Sequence, residues 1–341
     1  MILAIDGVGG DNAPQAVVAG VMDALQKTDM EIWLYGPQEV LEKELSGYTY
    51  DTSKVKVIHC SEVISGEDNP IRAIRAKKDS SLVRAVMDVK EGKADAFVCA
   101  GNTGVLISAA SLLLGRIKGL YRPALTTPIP TDKGMAILLD VGANAECKSE
   151  WLQQFAVMGA FYAQKVCDIA QPKVGLVNIG TESGKGNDVA KKAYDLLIHQ
   201  NDVNFIGNIE ARRVPYGDAN VIVTDGFTGN VILKMLEGTA EVLFGNVKQV
   251  FLQNLKGKLA ALMVKSGMKE LKQKMDYTEY GGAPVLGVDG IVVKAHGSSD
   301  KKAFSSALRQ AAKFVESGVM QDIKRYFEQN AISGGAAAET V

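Results

Sequence analysis

Short runs of β-branched and apolar residues alternate with longer stretches of helical periodicity along almost the whole chain. The runs at 2–5, 32–35, 55–58, 96–99, 136–139, 174–177, 204–206, 221–223 and 291–293 read as strands. The stretches 13–27, 38–46, 80–91, 104–115, 150–168, 187–199, 229–254 and 302–328 read as helices. The strand runs are too apolar to leave one face wet. The pattern therefore predicts a mostly parallel sheet covered by helices on both sides, a three-layer α/β/α arrangement. Neither an internal repeat nor a low-complexity linker divides it. Residues 1–332 read as one α/β domain, and 333–341, small and polar, as a flexible tail.

One segment breaks the alternation. Residues 251–275 place Leu252, Leu255, Leu259 and Leu262 on one helical face, followed by Met268, Leu271 and Met275. They carry six lysines against the single acid Glu270. The segment predicts a basic amphipathic helical hairpin over 245–280, interrupted near Ser266-Gly267. Its apolar residues, Leu255, Leu259, Leu262 and Met263 among them, need cover from the sheet, a second subunit or a lipid surface.

Charge narrows the function classes. Lysine and arginine number 38 and the acids 39, so no global positive field exists to hold nucleic acid. No apolar run approaches the roughly 18 residues of a membrane span, and the N-terminus shows no signal-peptide pattern. Cys60, Cys99, Cys147 and Cys167 are scattered without a CxxC pair, as reduced thiols of a cytoplasmic protein would be. The histidines His59, His199 and His296 show no zinc-ligand spacing, which argues against a metallohydrolase.

Glycine is the outlier, 35 of 341 residues against a usual share of about 7%, and it collects where strands end. Those turns hold Asp6, Gly9 and Gly10; Asn102, Thr103 and Gly104; Asp140 to Asn144; Asn178, Gly180, Glu182 and Lys185; Asp225, Gly226 and Asn230; and Lys294 and His296. In an open α/β sheet, ligands bind beyond the carboxyl ends of strands, where bare backbone N–H groups and helix N-termini favour anions. Any one such turn is explained by the demands of turns and caps. If the turns gather on one edge, they form a mouth for a small anion. Lys185, between two glycines at a helix start, departs from the usual place of a structural lysine in a last turn. His296 suits either a ligand loop or a cap. Arg72 and Arg75 suit a phosphate, an acidic partner or solvent.

Two familiar phosphate motifs are incomplete. The 180–186 turn has one residue too few between its glycines for a P-loop, with Gly186 where Ser or Thr would hold magnesium. Gly7-Val8-Gly9-Gly10 does not complete GxGxxG, and the second strand ends Tyr35-Gly36 with no acid for a ribose. No GxSxG elbow occurs.

The blocks IDGVGGDNAP (5–14), CAGNTGVL (99–106), LLDVGANAEC (138–147), GLVNIGTESGKGN (175–187), VTDGFTGNVILK (223–234) and GVDGIVVKAHGSSD (287–300) together resemble the PlsX-type phosphate acyltransferases of bacterial phospholipid synthesis. They span nearly the whole chain in the family's order. Gly7-Val8 stands where the family pattern has Ala-Met. The resemblance implies a fold like that of the isocitrate/isopropylmalate dehydrogenases and phosphotransacetylases. It also implies transfer of a long-chain acyl group from acyl carrier protein to inorganic phosphate, giving acyl phosphate. No cofactor and no metal is called for. A homodimer, a peripheral membrane contact through the 245–280 hairpin, and a downstream membrane glycerol-3-phosphate acyltransferase are the further implications.

On this reading Lys185 binds phosphate or the developing oxyanion and Asn230 donates through its amide. Thr103, Gly180, Gly226 and the Gly9-Gly10 turn supply hydroxyl and backbone donors, and Lys294 and His296 stand in reserve. Asp6, Asn102, Gly104, Asn178, Glu182 and Asp225 complete the candidate phosphate site. The rival readings are an isopropylmalate-type oxidative decarboxylase, a short-chain phosphotransacetylase using coenzyme A, and a non-catalytic scaffold for the carrier protein.

Overall fold

The computed structural model describes residues 1–275 and 281–335. Its strands are β1 (Ile2–Asp6), β2 (Glu31–Gly36), β3 (Val55–His59), β4 (Ala96–Cys99), β5 (Ala124–Thr131), β6 (Gly134–Leu139), β7 (Lys173–Asn178), β8 (Asn204–Glu210), β9 (Val221–Val223), β10 (Ala283–Leu286) and β11 (Ile291–Lys294). The helices are α1 (Gln15–Leu25), α2 (Gln38–Leu45), α3 (Pro70–Ala76), α4 (Ser81–Lys90), α5 (Thr103–Ala109), α6 (Ser149–Lys165), α7 (Asp188–Ile198), α8 (Gly226–Leu252), α9 (Leu255–Met275), α10 (Lys301–Ser317) and α11 (Val319–Gly335).

All the strands join one sheet in the order β3-β2-β1-β4-β11-β10-β5-β6-β9-β7-β8. Pairing is parallel from β3 to β11 and again from β6 to β8. The joints β11–β10, β10–β5 and β5–β6 are antiparallel. Three reversals in succession turn the second block against the first, so the carboxyl ends of the two blocks point to opposite edges. The two blocks meet across the short β10, which pairs Ala283 with Lys294 at the end of β11 and Leu286 with Ala124 at the start of β5.

Strand residues alternate between the two layers, as the two-residue period requires. Leu3, Ile5, Ala96, Val98, Ile137, Leu139, Val221 and Val223 pack on one side with α1, α6 and α10. Ala4, Phe97, Cys99, Leu138, Ile222 and Val292 pack on the other with α4, α5 and the start of α8. A fully buried side chain such as Phe97 contributes about 1.5–3 kcal/mol.

Four features differ from the expected elements. Strand β5 carries Pro128 and Pro130, which argue against a strand in sequence. Its pairing with β10 stops at Leu125, so both prolines lie where β5 has only β6 beside it and a missing N–H costs no ladder bond. Strand β10 is short and set among glycines, and α3 is only 7 residues long, capped by Asn69. The stretch 302–328 is two helices, because Gly318 takes the left-handed conformation (φ 66°) that ends α10.

The basic hairpin breaks at Gln253-Asn254 rather than at Ser266-Gly267. Asn254 Oδ1 accepts from the Gly257 N–H at 2.8 Å, whereas α9 runs unbroken through Ser266 and Gly267. A glycine inside a helix costs only about 1 kcal/mol. At the C-terminus, α11 extends through Gly335, into the stretch read as a tail. Residues 276–280 of the hairpin and 336–341 of the tail lie outside the described residues.

Candidate active site

A cleft of about 410 Å³ opens where the antiparallel joint separates the two parallel blocks. Leu125 and Thr127 of β5 and Ala283 of β10 line it from the sheet. Thr103 comes from the start of α5, Val141 and Gly142 from the turn after β6, and Lys294, Ala295 and His296 from the end of β11. Helix α8 supplies Gly226, Phe227, Asn230, Leu233, Lys234 and Glu237. The helix residues recur at intervals of three and four and so share one face.

The cations are the chemical core of this cleft. Lys294 is largely withdrawn from water, and its Nζ donates to the Ala295 carbonyl at 3.0 Å. Burial, reinforced by Lys234, pushes its ammonium below the ordinary lysine range. His296 is lowered in turn, first by burial and then by Lys234 and Lys294. Its Nδ1 accepts from the Ser298 N–H at 3.3 Å, which puts the proton of the neutral ring on Nε2. Lys234 is paired with Glu237 at 2.7 Å. A pair of lysines and a neutral imidazole so placed repel one another's protonated forms, and a bound anion would relieve that repulsion.

Neighbouring turns hold these residues in place. The Asp11 N–H donates to the Gly297 carbonyl at 2.8 Å, and Asn12 Nδ2 reaches the carbonyls of Ser298 and Ser299. The Gly9-Gly10 turn makes this approach possible. A Cβ on Gly9 would overlap the Asp6 carboxylate, and Gly10 adopts φ 109° against Ala100. Asp6 itself is buried and accepts from Ser81 Oγ at 2.7 Å; burial pushes its carboxyl up, and this bond opposes that shift. So Asp6, Gly9 and Gly10 shape the turn that supports Lys294 and His296.

The start of α8 is fixed by Asp140, which is fully buried. Its Oδ1 accepts from the N–H groups of Leu125, Gly142 and Ala143 at 2.9, 3.2 and 3.0 Å. Its Oδ2 accepts from Asn144 N and Nδ2. Burial raises its pKa and these bonds lower it. Every partner is a donor, so the geometry fits the carboxylate and offers a carboxylic acid proton no acceptor. Gly226 N in turn donates to the Asn144 carbonyl at 2.8 Å. Side chains at Gly226 and Gly229 would collide with Asn144 and Asp140.

The sequence-derived candidates thus divide. Thr103, Gly226, Asn230, Lys294 and His296 come together in the cleft. Asn102 and Asp225 serve as caps, Asn102 for Gly104 and Val105 and Asp225 for Thr228. Asn178 closes its own turn by donating to the Lys185 carbonyl at 3.0 Å, while Asn208 holds the Glu182 carbonyl at 2.9 Å. None of Asn178, Gly180, Glu182 or Lys185 is among the described residues that line the cleft. Strand β7 lies one position beyond β9, and Lys185 is exposed.

Lys234 and Glu237 lie beyond the strand-end turns that the sequence marks, and Asp140, marked only as a turn residue, is the support of α8. Lys234 was visible in principle, four residues after Asn230 on the same helical face. The proposed contact residues of α9 are open to solvent, Leu255 at 84%, Leu259 at 63%, Leu262 at 68% and Met263 at 80%. Helix α9 turns a different face, with Ala261, Val264 and Met268, toward α8. Among the described residues no helix is long and apolar enough to cross a membrane.

Residues 1–322 match the family model for fatty acid synthesis proteins. The phosphate acyltransferase of Alkaliphilus oremlandii is 51% identical over 323 residues, 95% of this chain and 96% of its own. The phosphotransacetylase of Streptococcus pyogenes superposes with a TM-score of 0.61 at 17% identity, covering 92% of this chain and 94% of its own. The 4-hydroxythreonine-4-phosphate dehydrogenase of Klebsiella pneumoniae superposes with 0.52 at 11% identity, covering 92% and 97%. The two structural matches are likenesses of fold, and they bear out the phosphotransacetylase- and dehydrogenase-like architecture.

Proposed function

The chain belongs to the fatty acid synthesis protein family, and from that premise we propose that it transfers a long-chain acyl group from acyl carrier protein to inorganic phosphate. The products are acyl phosphate and the free carrier thiol, and the acyl phosphate feeds phospholipid synthesis through a membrane glycerol-3-phosphate acyltransferase. The observation that carries this reading is the convergence of Lys234, Lys294 and His296 on one cleft above an apolar sheet surface.

Phosphate's second ionisation lies near neutrality, so its dianion is plentiful and a strong general base is not essential. Lys294 and Lys234 hold the dianion, and Thr103 and Asn230 orient it. A phosphate oxygen attacks the thioester carbon, the tetrahedral oxyanion accepts from His296 Nε2–H, and the C–S bond breaks to release the thiolate, which takes a proton from water. Positioning of this kind is worth on the order of 7–11 kcal/mol. Lys185, on its exposed turn, attracts anions toward the cleft rather than touching the reacting atoms. The lysines of α9 face the acidic carrier protein.

Free-thiol release from long-chain acyl carrier protein, with and without phosphate, tests the reading. Phosphate-dependent release supports it, release without phosphate means a thioesterase, and carrier binding without release means a scaffold. The exposed residues Leu255, Leu259, Leu262 and Met263 are proposed to contact a second subunit or a lipid surface. A Leu259→Glu, Leu262→Glu double variant that loses vesicle binding but keeps its mass favours lipid; loss of the dimer favours the subunit contact.

A further inference from the structure

A second, larger cavity of about 840 Å³ runs between α8, α9 and the β5 residues Ile129 and Pro130. Its walls are predominantly apolar, with Leu236, Ala240, Phe244 and Val247 from α8 facing Val264 and Met268 from α9. Lysines 248, 265, 269 and 272 also line it, and their aliphatic stems can extend its apolar wall while their ammonium groups reach water. Leu233 and Glu237 line both this groove and the cationic cleft, so the two spaces adjoin.

We propose that this groove is the acyl-chain site, in which the fatty chain of the donor lies along α8 with its thioester at Leu233 and its methyl end toward Phe251. The proposal rests on the acyl-transfer reading and adds the place of the chain and the residues that select its length. From Leu233 to Phe251 the helix advances about 27 Å at 1.5 Å per residue. An acyl chain occupies about 15 Å, half of a bilayer's hydrocarbon core. The groove therefore accommodates a long chain, and its volume falls within the usual range for ligand sites, about 300–1,000 Å³. Each methylene buried there adds a factor of about four to affinity. A short-chain donor would leave most of the groove unfilled.

Ala240 lies seven residues, or about 10 Å, beyond Leu233, so Ala240→Trp blocks long chains where they pass. Two readouts are paired. Calorimetry with palmitate as the probe tests the groove without turnover: the wild type binds, and Ala240→Trp binds at least twentyfold more weakly. Turnover with palmitoyl and butyryl donors tests selection: the palmitoyl-to-butyryl ratio of kcat/KM falls at least fiftyfold in Ala240→Trp.

Unchanged palmitate binding together with an unchanged ratio overturns the groove assignment, and the cavity then belongs to helix packing or to a second copy of the chain. If circular dichroism shows Ala240→Trp to be misfolded, Phe244→Ala replaces it; the enlarged groove should shift preference to longer chains, and no shift overturns the assignment. Absence of phosphate-dependent thiol release in the wild type with every donor defeats the acyl-transfer reading instead, and palmitate binding still decides the groove.

Discussion

The Asp140 carboxylate grips Asn144 twice, accepting its main-chain N–H at 2.7 Å and its side-chain Nδ2 at 2.9 Å. Through the Asn144 carbonyl, this buried contact seats Gly226 and with it the whole start of α8. A charge that never meets solvent thereby positions Asn230 and Lys234.

Removing that charge should unfold the support. Asp140→Ala removes the buried carboxylate that accepts from the main-chain N–H groups of Leu125, Gly142, Ala143 and Asn144 and from Asn144 Nδ2, and is expected to cost about 3–5 kcal/mol. Asp140→Asn, which keeps one carbonyl oxygen, should cost less. Urea midpoints check the order, and equal midpoints for wild type and Asp140→Ala would remove Asp140 from this role.

Gly229 supplies a prediction of opposite sign to ordinary helix propensity. Alanine normally stabilises a helix interior by about 1 kcal/mol over glycine. Here its Cβ would overlap the Asp140 carbonyl oxygen, so Gly229→Ala should destabilise by about 2–3 kcal/mol. Chemical denaturation decides between the two signs.

The two candidate cations can be separated by kinetics. Lys294→Ala should lower kcat/KM for phosphate about a hundredfold or more, as loss of one oxyanion donor does at about 2.7–4 kcal/mol. Lys185→Ala should lower it less than about tenfold, since its turn does not line the cleft. Equal losses would mean that the 178–187 turn closes over the cleft during turnover.

Lys294 also predicts a pH dependence. Its lowered pKa makes phosphate binding fall as pH rises through that value, before an exposed lysine would lose its proton. Lys294→Arg, charged throughout, should abolish that alkaline limb. Stability moves the other way. Between the lowered folded value and the ordinary 10.5, the unfolded chain binds more protons, so this group's contribution to stability rises with pH across that window. Initial rates and urea midpoints over the same pH range test both signs.

Much of the sheet was legible because strand alternation and helix periodicity are local. Leu3, Ala4 and Ile5 advertise a strand buried on both faces within three residues, and the turn residues after it follow from backbone chemistry. Local signals misled where a neighbour compensates. Pro128 and Pro130 are tolerated only because β10 stops short, and Gly267 is tolerated while Gly318 ends a helix, a difference of backbone conformation rather than of residue type.

The sequence by itself determined the layers, the glycine-lined turns and the basic hairpin, since each depends on residues a few positions apart. Only the tertiary structure decided which turns meet. Strand order sets β7 one position beyond β9 and leaves the Lys185 turn outside the cleft wall, while the joint through β10 and β5 brings Lys294, at the end of β11, to Lys234 of α8 across 60 positions of chain. Such a pairing depends on strand order and direction, which long-range hydrogen bonding sets and no local periodicity encodes.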